Sequence, residues 1–135
     1  MTESVCYGYL YNWYAIDDAR ELMSSADWTV PTRTQYEALE IYLADDGGAM
    51  KRTGTVFWDS PNTGATNSTG FSGIGAGIRS NSTGGFSAIK ETAQYWASTG
   101  ISTSGYNLTL RYDNSVINVA PANKRFGYSV RLVKD

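Results

Sequence analysis

Tyr106-Asn107-Leu108-Thr109-Leu110-Arg111-Tyr112-Asp113-Asn114-Ser115-Val116-Ile117-Asn118-Val119-Ala120 is the stretch on which the fold turns. In an extended chain, Tyr106, Leu108, Leu110 and Tyr112 fall on one face, with Asn107, Thr109 and Arg111 on the other. Asp113-Asn114 reads as a two-residue hairpin turn. Pairing across it sets Leu110 opposite Ile117 and Leu108 opposite Val119, the register that keeps one face apolar. The second face then carries Asn107, Thr109, Arg111, Val116, Asn118 and Ala120. An antiparallel sheet is therefore expected in the last third of the chain.

Working outward, Tyr95 to Ser98 is a further strand. Beyond Pro121, Gly127 to Val133 reads as a closing strand in which Tyr128, Val130 and Leu132 alternate. Upstream lies a long stretch from about Thr53 to Thr92, dense in Gly, Ser, Thr and Asn. A loop of this length is improbable as an inert linker, and Phe57, Trp58, Phe71, Ile74, Ile78 and Phe86 are spaced to pin it to the body. Before it, Thr32 to Gln35 forms a capping box for a helix from about Arg33 to Ala44, with Tyr36, Leu39 and Leu43 as its buried positions. Asp45-Asp46-Gly47-Gly48 stops that helix. Val5 to Ala15, rich in Tyr and Trp, reads as an opening strand, and Asp17 or Asp18 then caps a short helix through Met23. Strand, helix, helix, long loop and strands make an α+β domain.

The chain has 135 residues, 18% of them charged, with a formal net charge of -2, 10 Tyr and 4 Trp. That length suits one domain spanning 1–135, standing alone or as the excised C-terminal part of a longer protein. No basic block or stripe appears, which argues against nucleic acid or an anionic membrane surface as partner, and no apolar run approaches a membrane span. Tyr and Trp combined with abundant Ser, Thr, Asn and Gly is the chemistry of an antibody paratope: rigid amphipathic rings beside short adaptable hydrogen-bonding groups. Cys6 is the single cysteine, so no internal disulfide is available, and histidine is absent.

Histidine's absence deprives serine-triad and zinc chemistry of their usual base or ligand. Asp17/Asp18 and Asp45/Asp46 sit at expected helix ends, where capping explains them. Gly73-Ile74-Gly75-Ala76-Gly77 lacks the preceding strand and following helix that a phosphate loop requires. Three Asn-x-Ser/Thr sequons, at Asn67, Asn81 and Asn107, are close to chance in so polar a chain. The residues give no support for catalysis.

Tyr9 to Ala15, Trp28 to Thr32, Phe57 to Asn67, Gly70 to Ser72, Gly75 to Arg79, Tyr95 to Thr99 and Phe126 to Asp135 form a set of segments. In these the chain resembles the Fibrobacter succinogenes major paralogous domain, a branch of the C-type-lectin-like superfamily also related to formylglycine-generating enzymes. They run in family order over essentially the whole chain. The resemblance implies paired first and last strands flanked by two helices, with a long loop region leading into a second small antiparallel sheet that usually holds the ligand site. Relatives often carry a cysteine near the end of the first helix and another in the last strand. Here Met23 (or Ser24) and Leu132 stand there, implying an apolar contact in place of a disulfide. The reactive cysteine pair of the enzymes is missing, as are the Glu-Pro-Asn and Trp-Asn-Asp motifs that hold calcium in sugar-binding relatives, so neither metal nor cofactor is expected.

The resemblance and the composition together lead to the expectation of a non-catalytic ligand-recognition domain, such as an adhesin or the receptor-binding tip of a phage tail fibre, extracellular at a cell surface or virion. Its partner would be a bacterial envelope glycan or protein, with oligomerisation through a parent fibre as an accompaniment. Some relatives are diversified by retroelements that rewrite codons late in the domain. By that analogy the ligand-binding positions are Tyr95, Ser98, Ser104, Asn107, Thr109, Arg111, Asn118, Ala120 and Asn123, facing outward from the second sheet. Trp58 and Trp96 are expected in the core. The competing expectation is a structural or oligomerisation module with a merely solvated Ser/Thr-rich surface.

Overall fold

The computed structural model describes residues 7–18, 22 and 27–134. Its central feature is a three-stranded antiparallel sheet of β4 (Thr92–Ile101), β5 (Ser104–Arg111) and β6 (Asn118–Asn123), in the order β4-β5-β6. Leu108 pairs with Val119, as the alternation requires, and Leu108 and Leu110 both lie in the core. Two short sheets accompany it, β1 (Trp28–Thr29) with β7 (Val133–Lys134) and β2 (Ile78–Arg79) with β3 (Phe86–Ser87). The helices whose bounds lie among the described residues are α1 (Trp13–Ile16) and α2 (Arg33–Tyr42), with a 3-10 turn at Gly47–Met50. The α+β expectation holds.

Both faces of the central sheet are covered. Tyr36, Met50, Trp58, Ala93, Tyr95, Leu108, Leu110 and Ile117 form the larger core on one side. On the other, Trp13, Trp96 and Tyr128 make a smaller core with Ile78, Phe126 and Val130 packed around it. Three indoles each tie a different segment to this frame. Trp13 Nε1 donates to the Ala97 carbonyl (3.0 Å), Trp58 Nε1 to Gly73 (2.9 Å) and Trp96 Nε1 to Tyr11 (2.7 Å). Trp58 and Trp96 are therefore core residues, as expected. At Gly105 the sheet must be glycine, because a Cβ would strike the Trp13 ring.

Helix α2 begins where the capping box places it. The Thr32 side chain accepts from Gln35 N (3.2 Å), and Gln35 Oε1 accepts from Thr32 N (2.9 Å). It ends in left-handed backbone at Ala44 and Asp45. Asp45 Oδ1 then accepts from Ile117 N (2.8 Å) and Asp46 Oδ1 from Gly48 N (3.0 Å), so both carboxylates of the helix stop have backbone partners.

The long loop is held by backbone bonds radiating from the buried 3-10 turn. Thr66 N donates to Gly48 O, Thr69 N to Ala49 O and Gly73 N to Met50 O. Gly48 admits no side chain, since a Cβ would run into the Gly64 carbonyl. Fully buried Lys51 completes the arrangement: its ammonium donates to the carbonyls of Thr63 (2.7 Å), Arg111 (2.9 Å) and Asn114 (2.9 Å). Phe57 and Phe71 pack against the large core, but Phe86 is 75% exposed and pins nothing.

Several local expectations are corrected. Among the described residues, the expected Val5–Ala15 strand reduces to one bridge, Tyr11 with Tyr128; Asn12 instead caps the helical turn α1, its side chain accepting from Ala15 N. Asp17 is the C-cap of that turn, and the expected helix through Met23 falls largely outside the described residues, as do Val5, Cys6, Met23 and Ser24. The two-residue hairpin turn is Ser102-Thr103, between Ile101 and Ser104. Asp113-Asn114 instead belongs to a longer connection, stretched because Tyr112 O, Ser115 O and Ile117 N bond to Thr63 N, Gly47 N and Asp45. The Tyr95–Ser98 strand extends to Thr92–Ile101 with an irregularity between Trp96 and Gly100. The closing strand is broken into bridges at Gly127, Tyr128 and Ser129 before β7, and Leu132 is only half-buried.

Candidate functional site

The nine sequence-predicted positions do not form one outward surface. Tyr95 faces the large core, 6% exposed, with its ring edge-on to Phe71 at 5.3 Å. Burial pushes its hydroxyl up to about 12, against the smaller opposing pull of the Ile74 backbone and Arg131. Asn107 and Thr109, at 4% and 9% exposure, are also buried. Asn107 Nδ2 donates to Ala120 O (2.9 Å) across β6, and its Oδ1 accepts from Thr109 Oγ1 (2.9 Å). The alternation assigned these two to the correct face, but the small core and its flanks cover that face. The expectation of outward exposure is therefore corrected for Tyr95, Asn107 and Thr109.

The remaining six fall in separate places. Arg111 and Asn118 are exposed at one end of the sheet, where Arg111 Nε meets Asp113 Oδ1 at 3.1 Å and holds that carboxyl below its ordinary range. Half-buried Ser104 pairs with exposed Asn123 at the other end, roughly 23 Å along β5 from Arg111. Ser98 is exposed and bonds to Pro31 O through its backbone N–H (2.8 Å), while Ala120 is half-buried in β6.

A better-formed concavity lies where three distant segments meet. Tyr11 and Tyr128 exchange both backbone bonds (2.8 and 2.9 Å), and Arg79 and Gly127 do the same (3.0 Å each). Gly127 permits the approach, since a Cβ there would sit 2.7 Å from Arg79 Cβ. The result is a polar cleft of about 430 Å³ lined by Asn12, Arg79, Ser80, Asn81 and Arg125, among others. A second cleft, of about 520 Å³, adjoins it through shared Leu10 and Arg79 and is walled by Tyr7, Tyr9, Phe86 and Ile89. Both volumes are in the range of small-molecule sites.

The side chains around the polar cleft are organised by their local structure. Arg79 Nε donates to Gly84 O (3.0 Å) across the β2–β3 turn, and its guanidinium stands 5.7 Å from the Phe86 ring centroid. Gly84 has φ 70, the left-handed geometry that closes this turn. Asn12 commits its Oδ1 to the Ala15 N–H, and its Nδ2 has no protein partner among the described residues. Arg125 is exposed, and among the described residues no carboxylate pairs with it or with Arg79. Guanidinium, amide and hydroxyl groups beside aromatic walls are suited to holding a polar ligand.

None of these cleft residues was singled out as a ligand contact from sequence, although Tyr9 to Ala15 and Gly75 to Arg79 both belong to the segments that carry the resemblance. Among the described residues no group of three or more His, Cys, Asp or Glu side chains is placed to hold a metal ion. No helix there is long and apolar enough to cross a membrane.

Residues 2–134 match the model of the Fibrobacter succinogenes major domain family. The chain belongs to this family. The match spans both sheet-covering cores and all three walls of the cleft, so the site is built wholly within the Fibrobacter succinogenes major domain. No curated protein and no solved structure matches the chain.

Proposed function

We propose that this Fibrobacter succinogenes major domain is a non-catalytic recognition module of C-type-lectin-like fold, distantly related to formylglycine-generating enzymes. It is displayed at a cell or virion exterior as part of a bacterial adhesin or phage tail fibre, where it grips an envelope glycan or protein. The observation that carries this reading is the pair of adjoining clefts: one holds amides and two arginines that meet no described carboxylate, the other exposed aromatic rings. The meeting of Tyr11 with Tyr128 and of β1 with β7 supports the lectin-like assignment. Exposed Ser98, Asn118 and Asn123, with half-buried Ser104 and Ala120, remain candidates for outlying contacts and for positions a retroelement would vary, whereas the Arg111 guanidinium is engaged by Asp113 and is set aside as a contact.

Binding of the purified domain to a glycan array and to intact bacteria, with and without EDTA, tests the proposal. Saturable binding that survives EDTA is expected. Loss in EDTA would refute the metal-free part, and absence of binding to both would refute recognition of an envelope ligand. A near-copy of the 3′ coding region differing only at adenines would establish diversification; its absence from the flanking DNA would remove that element.

A structural or oligomerisation role has one observation in its favour. Ile41 and Tyr42, 79% and 84% exposed, stand side by side at the end of α2. A multimer in sedimentation that dissociates in Ile41→Glu would establish that role; a monomer would dismiss it.

A further inference from the structure

We infer that the Arg79–Arg125 cleft takes a carboxylated saccharide, a uronic-acid-type unit of an acidic glycan; this deepens the recognition reading and rests on it. The protein carries a net charge of -2, yet among the described residues the charged side chains lining this cleft are two arginines. Elsewhere, Arg33, Lys90 and Arg111 meet Glu37, Asp59 and Asp113, whereas no described carboxylate reaches Arg79 or Arg125. A guanidinium offers a planar fork of donors matched to a carboxylate, and two on one cleft favour an anion over a neutral sugar.

Surrounding groups narrow the class further. Asn12 Nδ2 and the Asn81 amide supply hydrogen bonds of the kind that sugar hydroxyls accept and donate. The shared wall at Arg79 opens onto Tyr9 and Phe86, exposed by 71% and 75%, whose flat apolar faces suit the C–H face of a neighbouring pyranose. A free inorganic anion would use the arginines and leave the aromatic wall unused. An acidic oligosaccharide engages both.

The test compares trigalacturonate with neutral galactotriose by titration calorimetry, using wild type, Arg125→Gln, Phe86→Ala and Arg111→Gln. Arg125 and Phe86 are exposed, and among the described residues neither side chain has a hydrogen-bond partner, so both variants are expected to keep the fold. Arg111→Gln removes the same charge at the sheet end and controls for net charge. The expected result is trigalacturonate binding that weakens about tenfold or more in Arg125→Gln and in Phe86→Ala, and is retained in Arg111→Gln. It should also weaken between about 50 mM and about 500 mM NaCl. Equal binding of the two sugars, or equal losses in Arg125→Gln and Arg111→Gln, would overturn the inference. If trigalacturonate fails to bind while array or cell binding persists, the inference falls and the recognition reading stands. If neither binds, both fall.

Discussion

Lys51→Met is the substitution whose outcome the structure specifies most closely. The lysine is fully buried, and its ammonium donates to the Thr63, Arg111 and Asn114 carbonyls at 2.7, 2.9 and 2.9 Å. Burial lowers its pKa, opposed by the more distant charges of Asp113 and Asp46. Methionine fills a similar volume and abolishes the cost of desolvating the charge, so the loss is less than the full worth of three charge-assisted bonds. What remains is three acceptors stranded in the interior at about 1–3 kcal/mol each. Taking the low end of that range, because apolar burial of Met offsets part of it, gives a destabilisation of about 3 kcal/mol. At about 4 °C per kcal/mol for a domain of this size, the melting temperature falls by roughly 12 °C. Urea denaturation followed by tryptophan fluorescence measures it directly, read as a lower midpoint at unchanged slope. Lys51→Arg should fail to rescue, because a planar guanidinium cannot direct three donors from one nitrogen. A loss under about 1 kcal/mol in Lys51→Met, or wild-type stability in Lys51→Arg, would refute the idea that this ammonium organises the loop.

Thr32→Ala removes the Oγ1 acceptor for Gln35 N and is expected to cost about 1 kcal/mol, checked by the same denaturation assay. Gly105→Ala forces a methyl group into the Trp13 ring; a loss of about 1–3 kcal/mol with altered tryptophan emission is expected, and an unchanged spectrum would contradict the packing. Alkaline stability has a definite sign. Tyr95 and Tyr128 are pushed up to about 12 by burial, while unfolded tyrosines ionise near pH 10. Between those values the folded state retains protons that the unfolded state releases, so stability falls, by about 1.4 kcal/mol per pH unit for each such tyrosine. Lys51 acts oppositely: its depressed pKa means that raising pH from its folded value towards the ordinary value near 10.5 relieves a penalty. Tyr95→Phe should therefore flatten the fall in stability above about pH 10, which denaturation midpoints across pH would show.

Local chemistry was readable from the sequence wherever partners are close along the chain. The Thr32/Gln35 box joins residues one helical turn apart, and the Leu108–Val119 pairing keeps one sheet face apolar even though Asp113-Asn114 is not the tight turn from which it was reached. Trp58 and Trp96 were expected in the core because both lie in segments that carry the family resemblance, and both are fully buried. Asn107 and Thr109 show where periodicity stops. Alternation says which face a residue takes but not whether another layer covers that face, and here Trp13, Tyr128 and Phe126 supply that layer from both ends of the chain. Asp113-Asn114 failed as a turn because residues 63, 47 and 45 capture the backbone around it, while Ser102, at φ 48, makes the tight turn without glycine or asparagine. Lys51 was invisible for a related reason: its acceptors lie 12, 60 and 63 residues away.

The division of labour between interior and surface bears on how such a domain could serve recognition. Without a disulfide among its resources, the chain fixes its long loop through buried groups: the Gly47–Met50 backbone, the Lys51 ammonium, the Trp58 indole and Asn62, whose Nδ2 donates to Arg52 and Gly54 carbonyls. These contacts bind backbone atoms, so they constrain the path of the loop and leave its outward side chains free to differ. Arg125, Asn81, Tyr9 and Phe86 are exposed and carry no part of that internal network. Changes at the cleft rim should therefore alter what is bound with effects within about 0.5 kcal/mol on stability, whereas equally conservative changes at Lys51 or Gly48 should unfold the loop. A panel pairing Tyr9→Ser and Arg125→Ser with Gly48→Ala separates the two classes by denaturation alone. Comparable losses in all three would mean that surface and scaffold are not independent, and that a variable recognition face could not be maintained on this frame.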